Sequence, residues 1–489
     1  MLKKKFQIYD PKLKEECAVF GISDNSDAST LTALGLHALQ HRGQEGCGIV
    51  SFDGKKYHSE KRFGLVGDNF SKEKVIKTLP GKFAIGHNRY STTGGTTLRN
   101  IQPFFADTNT GGIGVSHNGN LTNAITLRRK LVEDGAIFYT TSDTETIVQL
   151  IARSKRLKTL DKIVDALFQI QGGYSLVMLT QNTLIGVRDP FGIRPLVIGK
   201  RISSENKNEW MVASESLVLE NNDYQIVRDV KPGEAIYITI NGEFFSQQCS
   251  DNPKLFPCAF EYVYLARPDS IMNGISVYKA RLRMGDFLAE TIKRSLKDGQ
   301  IDVVMPIPDS SRPAAMQVAR QLGIEYREGF FKNRYVGRTF IMPGQQKRKQ
   351  SVRQKLNAMS AEFKNKNVLI VDDSIVRGTT SKQIVQMAKF AGANKVFFTS
   401  AAPPVRFPHV YGINMPSRNE LIAHNRSIKD IAAKLEIDSL VYQSVEDLRK
   451  SIIADTTITD LEMCCFTGSY VTGTVNDEYL SWIEKEYAS

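Results

Sequence analysis

VLIVDDSIVRGTT, residues Val368–Thr380, decides the fold of the second half of this 489-residue chain. Its opening apolar run reads as a buried strand, two aspartates end it, and a glycine with two threonines opens the next element. Side chains alternate across a strand, so Asp372 and Asp373 can serve one ligand only where the strand stops and the chain turns. In parallel α/β sheets that end is where ligands bind. Arg377, Gly378, Thr379 and Thr380 then fall at a helix N-terminus, where free N–H groups, hydroxyls and the helix dipole favour a phosphate. Neither GxxxxGKS nor GxxxxGKT occurs, which argues against a P-loop nucleotide hydrolase.

On either side of this stretch, DVVMPIP precedes AAMQVARQLG, NVLIVDD precedes SKQIVQMAKFAGA, and KVFFTSAAPP supplies a further strand. Repeated strand-then-helix units predict a parallel sheet with helices on its faces. The first half has a different texture. AVFGI, GKFAIGHNRYS, GGIGVSHNG, YSLVML, TLIGVRD and EAIYITING are short runs broken by Gly, Asn and Asp, as expected of antiparallel strands. LTALGLHALQHR and SDTETIVQLIARSKR are helix-like, the second opened by Ser142 or Asp143. The reading is therefore two domains, α+β then α/β, at 17–250 and 251–489, with the change of texture near residues 250 to 265. Length favours the same division, because one core rarely serves so long a chain.

Six irregularly spaced cysteines are too sparse for a secreted disulfide scaffold. The opening MLKKKFQIYDPKLKEE lacks the apolar core of a secretory signal, and no long apolar run suggests a membrane span, so a cytoplasmic protein without a membrane partner is expected. The net charge of +12 raises nucleic acid as a partner. Its placement argues otherwise. Lys332, Arg334, Arg338, Lys347, Arg348, Lys349, Arg353 and Lys355 fall in one acid-free segment whose glycines, proline and glutamines break helical periodicity. Such a segment reads as a loop able to cover an anionic ligand.

Cys17, in EECAVFGI, stands at the head of a strand. Alone, it would read as a small buried hydrophobe. HRGQEG (41–46), GHNRYST (86–92), SHNGNLTNA (116–124) and SDTE (142–145) change that, since each places polar groups in a turn or strand end. In this order and at these distances, the five segments resemble the N-terminal-nucleophile glutamine amidotransferase domain over about residues 17 to 240. The resemblance implies an αββα sandwich and a propeptide, 1–16, removed to leave Cys17 with a free α-amine. Such an amine, with a pKa of about 7.7 to 8.0, can take up the thiol proton at neutral pH. The resemblance further implies that Asn118 and Gly119 hold the oxyanion, that Arg89 binds the α-carboxylate of glutamine and Asp143 its α-ammonium, and that Arg42 orders the loop beside the thiol.

VLIVDDSIVRGTT likewise resembles the type I phosphoribosyltransferase signature. That implies Asp372 and Asp373 at the ribose hydroxyls and Mg2+, residues 377–380 around the 5-phosphate, and Ser311 of PIPDSSRP at the pyrophosphate and its magnesium. Lys332 and the basic segment would close over phosphoribosylpyrophosphate. EYVYLARPDS (261–270) extends the similarity over nearly the whole chain to the amidophosphoribosyltransferases. The family resemblance implies release of ammonia from glutamine, its passage through a channel, and displacement of pyrophosphate at C1 of the ribose. It implies a homo-oligomer, dimer or tetramer, with purine nucleotides as feedback inhibitors. Some relatives carry an iron–sulfur cluster on four cysteines. Here Cys258 and Cys465 match two of those positions and His409 and Glu462 take the others, so no cluster is expected.

Three rivals explain less. A papain-like hydrolase would use His87 or His117, but each merely precedes a residue the amidotransferase reading needs. A glutaminase feeding ammonia to a sugar phosphate or an aspartyl adenylate has no use for VDDSIVRGTT. A DNA-binding regulator leaves the entire first half unexplained.

Overall fold

The computed structural model describes residues 17–90, 97–203, 206–297, 299–332, 356–413, 415 and 417–488. The expected propeptide, 1–16, and the basic segment after Lys332 therefore lie outside the described residues. The chain forms two compact units. The first comprises Met1–Pro257, Val410–Asn414 and Val471–Ser489, and the second comprises Cys258–His409 and Met415–Tyr470. The second change of unit, within residues that a linear reading assigns wholly to the C-terminal domain, has no compositional mark.

Unit 1 contains two antiparallel sheets. The seven-stranded sheet runs Gln225–Asp229, Val197–Ile202, Asn208–Ala213, Ala18–Ser23, Phe83–Arg89, Gly46–Phe52 and Tyr57–Phe63. The six-stranded sheet runs Phe244–Gln248, Glu234–Thr239, Thr183–Arg188, Gly172–Thr180, Gly111–Leu121 and Phe104–Thr108. Alternation along Ala18–Ser23 separates two cores. Ala18, Phe20 and Ile22 turn outward onto helix Ala28–Ala38, where Leu36 is buried with them. Val19 turns inward to join Val50, Ile85, Val177, Leu184 and Ile236 between the sheets. A Cβ on Gly21 would stand 2.6 Å from Val177 Cγ1, so glycine there lets the sheets approach. Helices Ala124–Glu133, Thr144–Arg153 and Thr159–Leu167 cover the other face of the six-stranded sheet through Leu131, Ile147, Ile151, Ile163 and Leu167. The result is the expected αββα sandwich.

Unit 2 carries a five-stranded, wholly parallel sheet in the order Glu325–Tyr326, Val303–Pro306, Asn367–Asp372, Lys395–Ser400 and Ser439–Tyr442. Val368, Ile370, Val396 and Phe398 are buried against Ile384, Val385 and Ala388 of helix Thr379–Phe390. This is the predicted α/β arrangement, with Asp372 the last residue of its strand.

One turn in unit 1 rests on a single carboxylate. Asp189 is fully buried and accepts hydrogen bonds from the N–H groups of Tyr174 (3.3 Å), Phe191 (2.9 Å), Ile193 (3.0 Å) and Arg194 (3.0 Å). Asp189→Ala leaves these donors without their acceptor, at a cost of about 3 kcal/mol or more. A clear fall in the denaturant midpoint is expected, and an unchanged midpoint would show that water replaces the carboxylate.

Candidate active sites

In unit 1 the polar segments converge through strand register. Ala18 pairs with Asn88 in an antiparallel ladder, so Cys17 and Arg89 are the next residues across from one another. Val19 pairs with His87, whose Nε2 donates to the backbone oxygen of His117 on the facing sheet at 3.0 Å. That contact brings the two sheets together one alternation away from Cys17 and Arg89, and just before Asn118. Burial pushes the His87 imidazole down to about 3, so it remains neutral and unsuited to activate a thiol. This removes the His87 version of the papain-like reading.

Arg89 is buried, and its Nε and Nη1 have no hydrogen-bond partner among the described residues. Two buried guanidinium donors without acceptors suit a carboxylate ligand. The HRG loop fixes their backbone: Glu45 N–H donates to Arg89 O at 3.0 Å, and a Cβ on Gly43 would meet the Arg89 carbonyl carbon at 2.7 Å. Arg42 itself is buried and bonds through Nε to Glu215, which also takes His41 Nε2 at 2.7 Å. Glu215 and Ser214, whose Oγ accepts the N–H of Val19 at 3.0 Å, escaped the sequence reading. Their only signal is the polar SES triplet directly after an apolar strand.

Asn118 lies on strand Gly111–Leu121 and is fully buried. Arg194 Nη2 donates to its Oδ1 at 3.2 Å, while its Nδ2 has no partner among the described residues. Arginine only donates, so its contact settles which end of the amide is oxygen and leaves the NH2 group turned elsewhere. Gly119 has φ +146, and a Cβ there would collide with the Gly173 carbonyl oxygen. Glycine is required at this position by both constraints. Tyr411 and Gly412, also unforeseen, pack beside it. A Cβ on Gly173 would meet Tyr411 Cβ at 2.8 Å, and one on Gly412 would meet Gly119 Cα at 2.6 Å.

Asp143 accepts the N–H of Leu121 at 3.0 Å and lies 3.4 Å from His117 Nδ1. Burial opposes its ionisation, but His117 and the backbone donors outweigh this and hold the carboxyl below its ordinary range. It is therefore an anion at neutral pH.

In unit 2 the PIPDSS and VDDS segments leave neighbouring parallel strands, Val303–Pro306 and Asn367–Asp372, at the same end. Ser310 Oγ donates to Asp373, and Ile307 N–H to Val371 O at 2.9 Å. Ser311 is buried at the N-cap of helix Arg312–Leu322, its hydroxyl donating to Ile307 O. Burial and the charge of Asp373 raise the Asp372 carboxyl well above the carboxylate range, and burial raises Asp373 as well. Gly378, with φ +76, caps helix Thr379–Phe390 where a Cβ would collide with Ile422 Cδ1. Thr379 and Thr380 form its first turn. Arg377 is instead paired with Glu420 at 2.9 Å, and Lys332 with Asp309 at 2.8 Å.

Comparison with known proteins agrees with this geometry. A glutamine amidotransferase domain model matches residues 87–221 and a phosphoribosyl transferase domain model matches residues 276–400. The amidophosphoribosyltransferase of Pseudomonas aeruginosa is 49% identical over 481 residues, covering 96% of this chain and 95% of that protein. Among solved structures, the glutamine phosphoribosylpyrophosphate amidotransferase of Bacillus subtilis complexed with ADP and GMP superposes with a TM-score of 0.85 at 41% identity, covering 94% of this chain and 98% of that one. A structure described as the allosteric regulatory enzyme of purine biosynthesis has a TM-score of 0.87, also at 41% identity, and covers 94% and 97% of the two chains. Fold and sites thus define an enzyme that joins a glutamine amidotransferase to a phosphoribosyltransferase. The chain belongs to the amidophosphoribosyltransferase family, which uses glutamine to aminate phosphoribosylpyrophosphate in purine biosynthesis.

The paired aspartates carry a stability consequence. A carboxyl whose folded pKa is raised stabilises fully below its unfolded pKa of about 3.9, and that contribution is lost as pH rises through the folded value. Asp372→Asn should therefore unfold at higher denaturant than the parent at pH 8, with the gap narrowing towards pH 5. A variant less stable than the parent at pH 8 would mean that the carboxylate charge is already compensated.

Proposed function

We propose that Cys17 Sγ attacks the side-chain amide carbon of glutamine, its proton passing to the α-amine freed by loss of residues 1–16. The carbon–nitrogen bond breaks, ammonia leaves, and water hydrolyses the γ-glutamyl thioester. The carrying observation is the Asn118 amide: its oxygen is held by Arg194 while its buried NH2 has no partner among the described residues. With the N–H of Gly119 it would stabilise the oxyanion, each such donor being worth about 10² to 10³ in rate. Arg89 takes the α-carboxylate and Asp143 the α-ammonium, while Arg42 acts through Glu215 and the HRG loop rather than on glutamine directly.

On the same reading ammonia reaches phosphoribosylpyrophosphate through a closed passage, attacks C1 of the ribose, and the bond from C1 to the pyrophosphate oxygen breaks. Magnesium fits the site, since buried carboxylates that resist ionisation beside each other suit a hard cation with oxygen ligands. When bound, it would neutralise charge on the pyrophosphate. Asp372 and Asp373 would hold it together with the ribose hydroxyls, and Ser311 would lie at the pyrophosphate. Thr379, Thr380 and the Gly378 turn would receive the 5-phosphate at the helix N-terminus. Arg377 and Lys332 would exchange Glu420 and Asp309 for substrate. Domain limits of 17–250 and 251–489 belong to this reading, modified by the return of 410–414 and 471–489 to the first unit.

The Bacillus subtilis relative complexed with ADP and GMP supports feedback by purine nucleotides. A cytoplasmic homo-oligomer, dimer or tetramer, completes the proposal. Among the described residues no helix is long and apolar enough to cross a membrane.

Two experiments test the amidotransferase half. Intact mass of active enzyme should begin at Cys17, and Cys17→Ala should lose synthesis from glutamine while keeping synthesis from ammonium salts. Full glutamine-dependent activity in a chain retaining residues 1–16 would sink the mechanism. Arg194→Gln should lower glutaminase kcat about 10²-fold with little change in KM, because the Asn118 amide loses its orientation but the glutamine clamp remains. Synthesis from ammonia should persist. A change confined to KM would place Arg194 in substrate binding instead.

A further inference from the structure

In unit 2, away from the aspartate pair in sequence, three side chains of different chemistry meet. Cys258 Sγ, His409 Nε2 and a carboxylate oxygen of Glu462 all lie within 4.8 Å of one another, and all three residues are buried. Cys258 Sγ is 3.4 Å from His409 Nε2, which is 3.1 Å from Glu462 Oε2. The segments that carry them are far apart in the chain but joined locally: Cys258 and Glu462 form a parallel bridge, and Ala259 N–H donates to Glu462 O at 2.9 Å. Glu462 Oε1 is already committed to the N–H of Cys464 at 2.7 Å.

Hydrogen bonds link the three groups in part. The facing imidazole nitrogen can donate to Glu462 or accept from the Cys258 thiol, but cannot do both at once. Despite its proximity to His409, Glu462 Oε2 has no well-directed hydrogen bond among the described residues. All three atoms can instead donate electron pairs towards a common centre. A four-thiolate cluster does not fit such a set, because only one of the three is a thiolate. A single ion does. With bonds of roughly 2.0 to 2.3 Å, ligands around tetrahedral zinc are about 3.3 to 3.7 Å apart; here sulfur and nitrogen are 3.4 Å apart, nitrogen and oxygen 3.1 Å, and all three atoms lie within 4.8 Å of one another. The set is also electrically suitable, since a thiolate and a carboxylate together cancel the charge of a divalent ion at a buried site.

We propose that Cys258, His409 and Glu462 form a binding site for one divalent transition-metal ion of the zinc class. The ion would act as a staple: it ties the start of unit 2 to the turn after strand Lys395–Ser400 and to the segment that precedes Cys464. A fourth position, filled by water, completes the tetrahedron. The site stands apart from the proposed phosphoribosyl chemistry and needs none of it.

The test uses the full chain in a Cys17→Ala background, so that the glutaminase thiol cannot contribute. After purification without chelators, elemental analysis should find about one zinc per chain. Replacement by Co2+ should give the visible absorption of a tetrahedral thiolate complex, and removal of metal should lower the thermal midpoint. Cys258→Ser should abolish the sulfur-to-cobalt band. His409→Asn, a milder change that keeps a polar group in place, should lose stoichiometric metal even if Cys258→Ser folds poorly. Asp372→Asn should retain it. Metal-free protein whose midpoint does not respond to zinc would overturn the proposal in favour of a hydrogen-bonded triad, as would zinc retained in His409→Asn or an iron–sulfur spectrum.

Discussion

Antiparallel register between Ala18–Ser23 and Phe83–Arg89 is the constraint on which the first site depends. Because Ala18 faces Asn88, Arg89 can only fall beside Cys17. A slip of strand Ala18–Ser23 by one residue would turn Val19 to the outer helix and Phe20 into the space between the sheets. The small residue at Gly21 and the helix-facing Phe20 both resist that slip, since each matches the space on its own side. The placement of Arg89 beside Cys17 is thus fixed by the hydrophobic pattern of the core.

The second site is governed by a conflict instead of a fit. Two buried carboxylates, adjacent in sequence, are held where burial and mutual charge oppose ionisation. The sheet tolerates this because the strand ends there: Asp373 receives the hydroxyls of Ser310 and Ser374, and Asp372 receives the N–H of Asp373. An apolar pair would hold the fold better and bind nothing. Buried carboxyls perturbed in this way mark a candidate functional site, and the proposed cation and ribose hydroxyls would relieve the conflict.

Much of this was legible in the sequence, and for physical reasons. Alternation of period two in AVFGI and the strand-then-helix order around VLIVDD are local consequences of backbone geometry, so the αββα sandwich and the parallel sheet follow from them. Asn118 and Gly119 stood out in the glycine-marked SHNGNLTNA and Asp143 in SDTE at the head of a helix-like stretch, and the resemblance of these segments to one family supplied their expected roles. What escaped was nonlocal. Glu215 pairs with Arg42 across 173 positions, Arg194 reaches Asn118 across 76, and Asn120 Nδ2 donates to Val410 O across 290. No periodicity encodes such contacts. The return of Val410–Asn414 to the first unit belongs with them, for nothing in YGIN marks it as other than a loop of the second.

The Arg194 contact shows how a distant turn governs the orientation of the Asn118 amide. An asparagine side chain can present oxygen or nitrogen with nearly the same shape, and on the proposed mechanism the wrong end would repel the developing oxyanion. Arg194 removes the ambiguity because a guanidinium has no acceptor. Its own backbone is set by Asp189, which gathers the N–H groups of residues 191, 193 and 194 into one turn. The carboxylate therefore fixes the turn, the turn places the arginine, and the arginine orients the amide. Preorganisation of this kind is made during folding and costs nothing at the moment of reaction, which is where fixed donors gain their advantage over water.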